Sequence, residues 1–200
     1  WMAWRGKWIG LLCWPGALFF VAYNYITYVF AMPMNWAFVL HLFLSVLSMY
    51  TFIGLVASLD GESIRQRLGG KVPEKFAGGV LAGLGALFLL RVIGVLIDAL
   101  SNGTSLAETE IAVNIADFLT TPAWVIGGIL LWRRKAFGYV TGLGLLFQGS
   151  MLFIALIAFL LLQPILTAAP LATVDIMVIL VMGLICFIQF ALYARGVIHA

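Results

Sequence analysis

Of 200 residues, 64% are hydrophobic and only 10% charged, with a mean hydropathy of +1.13. That leaves too little polar side chain to cover a water-facing fold, so a soluble domain is excluded. The formal net charge of +3 is sorted by position along the chain, and it points to membrane topology and anionic lipid; nucleic acid is not an expected partner.

Apolar runs of about 20 residues without strict alternation predict helical spans, because lipid offers backbone groups no partner. The chain begins at Trp1 and not at Met, so further residues are expected before it. Trp1, Trp4 and Trp8 recur at helical spacing beside Arg5 and Lys7, a pattern that predicts an interfacial anchor. The first span is predicted over Trp8 to Phe30, with Tyr23, Asn24, Tyr25 and Tyr28 in its last turns. It is longer than a signal-peptide core and no small-x-small cleavage site follows.

The second span is predicted over Trp36 to Leu59, with His41 near its start. In the connection from Asp60 to Phe76, Gly69, Gly70 and Pro73 rule out one long helix. A single interfacial turn is predicted over Ser63 to Leu68, with Ile64 and Leu68 dipping into lipid.

The third span, Ala77 to Leu100, carries Arg91 and Asp98, and its Gly79 and Gly83 form a small-xxx-small pair. Asn102-Gly103-Thr104 then has the form of an N-glycosylation acceptor and of a turn. The fourth span, Ile111 to Trp132, aligns Asn114, Asp117, Thr121 and Trp124 on one face. Its Pro122 removes the donor to the Phe118 carbonyl and predicts a kink beside Asp117.

The fifth span, Ala136 to Leu162, has Gly138 and Gly142 near its start and Gln148 and Ser150 deeper in. The glycine faces of the third and fifth spans are expected to pack on each other or on Gly127 and Gly128 of the fourth. The connection Gln163 to Ala172, with Pro164 and Pro170, is predicted to be extended. The sixth span, Thr173 to Tyr193, opens at Asp175.

Six spans put both termini on one side. That side receives Arg5, Lys7, Arg65, Arg67, Lys71, Lys75, Arg133, Arg134, Lys135 and Arg195. The positive-inside rule makes it cytoplasmic. The other side receives Asp98, Glu108, Glu110, Asp117 and Asp175. The expectation is an all-α membrane protein: a compact bundle of six transmembrane helices, with the N- and C-termini cytoplasmic. Residues 1–200 are read as one polytopic domain, lying in a plasma or inner membrane.

Within the apolar spans, a charge at Arg91 costs about 2.5 to 3.5 kcal/mol and needs a partner. Asp98 is about 10 Å farther along the same helix, whereas Asp117 matches Arg91 in depth. His41, Asn24 and Asp175 lie toward the same end. Arg91, Asp117, Asp98, Asp175, His41 and Asn24 are therefore the candidate ligand-binding residues. Their formal balance is negative, which favours a cation, an amine or another small polar ligand over an anion. A permease or sensor with an outward-facing cavity follows.

The same groups also suit an internal structural network, with Arg91 bridged to Asp117 and capped by Asn24 and His41. The chain would then be an accessory or assembly subunit of a larger membrane complex, with a membrane-protein partner or further copies of itself. An intramembrane enzyme using Asp117 and His41 is a third reading, although no HExxH, GxSxG or phosphate-binding glycine loop occurs. Cys13 and Cys186 sit in spans without CxxC spacing and read as inert thiols. No metal site is expected, and no cofactor is specified by the residues.

Overall fold

The computed structural model describes residues 7–167 and 170–200. The predicted anchor at Trp1, Trp4 and Arg5 lies outside the described residues. The chain order is α1 (Trp8–Ala31), α2 (Trp36–Ser58), α3 (Gly61–Leu68), α4 (Glu74–Asn102), α5 (Glu108–Trp132), α6 (Ala136–Thr167) and α7 (Thr173–Ile198). All but α3 are long and apolar enough to cross a membrane, and among the described residues there is no strand.

Local chemistry sets the ends of these helices. Asn35 caps α2 by accepting from the Ala37 and Phe38 amides at 2.8 and 3.2 Å. Asp60 caps α3 through the Glu62 and Ser63 amides. Gly103 ends α4 in the left-handed region at φ 62°. After α5 the left-handed residue is Arg134 at φ 55°. The Arg134 and Lys135 amides bond back to the carbonyls of Leu131 and Leu130 at 2.9 and 2.8 Å, the paired bonds of a Schellman ending.

Helices α1, α5 and α6 all pack on one another and form the centre. Outside them, α2 lies on α1, α4 on α5 with an edge against α7, and α7 on α6. Lipid is as apolar as a leucine core, so close packing must come from small residues that let backbones approach. At the α1–α6 crossing, Gly16 and Gly144 meet so closely that a Cβ on Gly16 would strike the Gly144 carbonyl. At the α4–α5 crossing, a Cβ on Gly78 would come within 2.6 Å of the Gly128 carbonyl oxygen.

The expected packing of α4 on the glycines of α5 is therefore present, but it is made by Gly78, with Gly85 set against Trp124 and Val125 farther along. A Cβ on Gly79 or Gly83 would meet nothing within 4 Å among the described residues.

Two further expectations are corrected. Ile64 and Leu68 do not dip into lipid: α3 packs against α6, and these side chains are 1% and 2% exposed within the protein core. The segment from Gln163 to Thr167 is helical and not extended, with Pro164 inside α6. Proline costs that helix one hydrogen bond, whereas unwinding in an apolar layer would expose several backbone groups. For the same reason α5 runs unbroken through Pro122.

Candidate functional site

Three helices bring one charged or polar group each to a common level. Counted from the helix ends at the acidic side of the bundle, Tyr23 on α1, Arg91 on α4 and Asp117 on α5 all lie about 12 to 16 Å in, at 1.5 Å per residue. The Tyr23 hydroxyl donates to Asp117 Oδ1 at 2.9 Å. The Arg91 guanidinium donates to Asp117 Oδ2 at 3.4 Å. Both carboxylate oxygens are thus engaged, and the predicted pairing of Arg91 with Asp117 is present.

The two partners differ in exposure. The Asp117 side chain is 12% exposed and that of Arg91 is 45% exposed. One edge of the guanidinium binds the carboxylate while much of it faces out of the bundle, where a lone charge in hydrocarbon is costly.

The face predicted on α5 is buried: Asn114, Asp117, Thr121 and Trp124 all point into the bundle. The Thr120 and Thr121 hydroxyls donate to the carbonyls of Ala116 and Asp117 at 2.7 and 2.8 Å. About 10 Å farther toward the basic end, by helix rise, the Trp124 indole donates to Gln148 Oε1 of α6 at 2.8 Å. Gln148 is fully buried.

Asn114 stands apart. It is 3% exposed, and neither its carboxamide nitrogen nor its oxygen has a hydrogen-bond partner among the described residues. Three residues before Asp117, it lies on the same helix face. Buried polar groups are paired in the great majority of cases, so two open positions on one side chain mark capacity that the protein itself leaves unused.

The other predicted residues are not joined to this cluster. Asn24 donates to the Phe20 carbonyl of its own helix at 2.8 Å. His41 packs its ring against Tyr25 and Tyr28, at centroid distances of 5.6 and 5.2 Å. Its Nδ1 is buried with no hydrogen-bond partner among the described residues. Asp98 is exposed and accepts from Asn102 at 2.9 Å. Asp175 is exposed in the first turn of α7, where a carboxylate suits the helix dipole. The cluster itself holds one cation and one anion; Asp98 lies in the last turns of α4 and Asp175 in the first turn of α7.

Sequence reasoning missed the role of Tyr23, whose only signal was its depth in the first span. It also missed a network at the opposite, basic end. There Glu74 is 5% exposed and accepts from the Gly70 amide at 2.7 Å and the Tyr139 hydroxyl at 3.0 Å. Arg134 approaches its other oxygen at 4.0 Å. Among the described residues, no group of three or more His, Cys, Asp or Glu side chains is arranged to hold a metal ion.

The fold and cluster define a multi-pass helical membrane protein with a buried polar layer in one half. Comparison of the chain with protein-family models, curated proteins and solved structures gives no match.

Proposed function

We propose that this membrane protein binds a small polar ligand in the half of the bundle that carries Asp117, and that it acts as a permease or sensor. The observation that carries this reading is Asn114, buried beside Asp117 with a donor and an acceptor both open. A guest that offers an acceptor and a donor completes it. Arg91 neutralises Asp117, so the layer has no net charge to draw in an ion by itself. The exposed acids Asp98 and Asp175, near the helix ends of this half, favour the approach of cations and amines over anions. The positive-inside rule places this half on the outer side, with both termini in the cytoplasm.

The test is ligand-dependent thermal stability of purified protein in mild detergent, using sodium, potassium, ammonium and a set of small primary amines. Wild-type protein is stabilised by at least one of these, and Asn114→Leu loses that stabilisation while remaining folded. Equal responses in the two proteins contradict the assignment of Asn114.

A second reading is favoured by one specific observation: both oxygens of Asp117 are already bonded within the protein. On that reading the triad fastens α1, α4 and α5 together, and the chain is an accessory subunit of a larger membrane complex or of a homo-oligomer. The composition of the particle extracted from its native membrane separates the two. Stoichiometric co-purification with other subunits favours the second; a particle containing this chain alone favours the first.

A further inference from the structure

At the basic end of the bundle, α7 approaches the loop between α3 and α4 and leaves an open, surface-facing cavity of about 280 Å³ lined by Lys71, Leu192, Arg195, Gly196 and His199. Leu192, Arg195 and Gly196 of α7 and His199 at its C-cap fall at spacings of three, four and seven, so they continue one helix face. Lys71 is the opposing wall. The approach depends on Gly196, where a Cβ would come 2.5 Å from the Lys71 carbonyl oxygen.

Polarity in this cavity changes along the helix axis. Leu192 is on the side of the apolar layer, and the same face continues deeper as the exposed side chains of Ile188, Ile185 and Val181. Arg195 and His199 stand at the outer rim with Lys71, and none of the lining side chains is a carboxylate. Among the described residues Lys71 Nζ makes one hydrogen bond, to the main-chain oxygen of Ala200 at 3.3 Å, which leaves two of the ammonium's three donors for other acceptors. Glu74, the nearest acid in the chain, is turned inward to Gly70 and Tyr139.

From this gradient we infer that the cavity formed by Lys71, Arg195 and His199 binds a phosphate-bearing anion. Two sources share that chemistry, the headgroup of an anionic phospholipid and free phosphate. The apolar stripe beneath Leu192 matches the acyl chain of the lipid, and basic pockets between membrane helices are suited to such headgroups. The site lies at the opposite end of the bundle from Asp117 and does not depend on the ligand proposed there.

The experiment is calorimetric titration of the full chain in nonionic detergent with dioctanoyl phosphatidylglycerol, dioctanoyl phosphatidylcholine and sodium phosphate. Wild-type protein binds the phosphatidylglycerol and not the phosphatidylcholine. Replacing both charges, Lys71→Gln with Arg195→Gln, weakens that binding by about tenfold or more. The matched variant Arg133→Gln with Lys135→Gln, which removes the same charge elsewhere at this end, retains it. Binding of sodium phosphate that is lost in the same variant identifies free phosphate as the source; absence of phosphate binding identifies the lipid. Equal binding of the two lipids, or equal loss in both double variants, overturns the site. If the Lys71/Arg195 variant does not run as a monodisperse particle, His199→Gln is used in its place and must weaken phosphatidylglycerol binding.

Discussion

The guanidinium of Arg91 reaches Asp117 Oδ2 at 3.4 Å from the neighbouring helix, while Tyr23 from a third helix holds the other oxygen at 2.9 Å. One carboxylate therefore ties together α1, α4 and α5. Removing either charge leaves the other without a counter-ion inside the apolar layer. Asp117→Asn and Arg91→Met should each destabilise the protein, and the double variant should cost less than the sum. A coupling of about 1 kcal/mol is expected, since Arg91 is half exposed and the pair is not fully desolvated. Reversible unfolding of the four proteins in mixed micelles gives the cycle; additive effects would mean that the contact carries no energy.

Packing at the glycine crossings gives a sharper contrast. Gly16→Val places two methyl groups and a Cβ against the Gly144 backbone, where nothing can move without shifting a helix. Overpacking of this kind costs about 1 to 3 kcal/mol. Gly83→Val, on the open side of α4, should leave the unfolding temperature within about a degree or raise it, because glycine is a weak helix former. Equal effects at the two positions would contradict the assigned faces.

Glu74 is the anchor of the basic end. Glu74→Ala leaves the Gly70 amide and the Tyr139 hydroxyl unpaired, at a cost of about 1 to 3 kcal/mol. Tyr139→Phe removes one donor while Gly70 and Arg134 still face the carboxylate, and should cost less. Thermal unfolding of both variants checks the order.

Asp60 makes the end of α3 pH-dependent. The Ser63 hydroxyl and amide hold its carboxyl below the usual aspartate range, together with the Glu62 amide. A folded-state value below the unfolded one means that the cap is at full strength above the ordinary aspartate range. It is lost as pH falls through the lowered value. Hydrogen exchange of the α3 amides, corrected for intrinsic rates, should rise on acidification in wild type. In Asp60→Ala it should be raised already at neutral pH and change little further.

What was legible in the sequence follows from the solvent. An apolar layer forces every span to be continuous and hydrophobic, so all six appear, with ends up to five residues from the observed ones. A charge in that layer needs a partner at its own depth, so Arg91 pointed to Asp117. Side-chain faces were less legible, because a helix that is apolar all round does not show which side meets protein and which meets lipid. Gly79 and Gly83 looked equivalent to Gly78 and Gly85 for that reason. Tyr23 was hidden among tyrosines that serve equally well as interface residues. Ile64 and Leu68 in α3 matched a lipid-dipping turn as closely as one docked on α6. Asn24 and His41 have the right depth but turn to their own helix and to aromatic neighbours, a choice made by side-chain packing.

Access to Asn114 tests the central proposal most directly. In a chain with Cys13→Ala and Cys186→Ala, Asn114→Cys and the rim variant Asn102→Cys are exposed to a charged, membrane-impermeant thiosulfonate. A water-accessible ligand layer predicts that both cysteines are modified. Modification at 102 with none at 114 would mean that the layer is sealed, and that Arg91, Asp117 and Tyr23 serve only to hold the helices together.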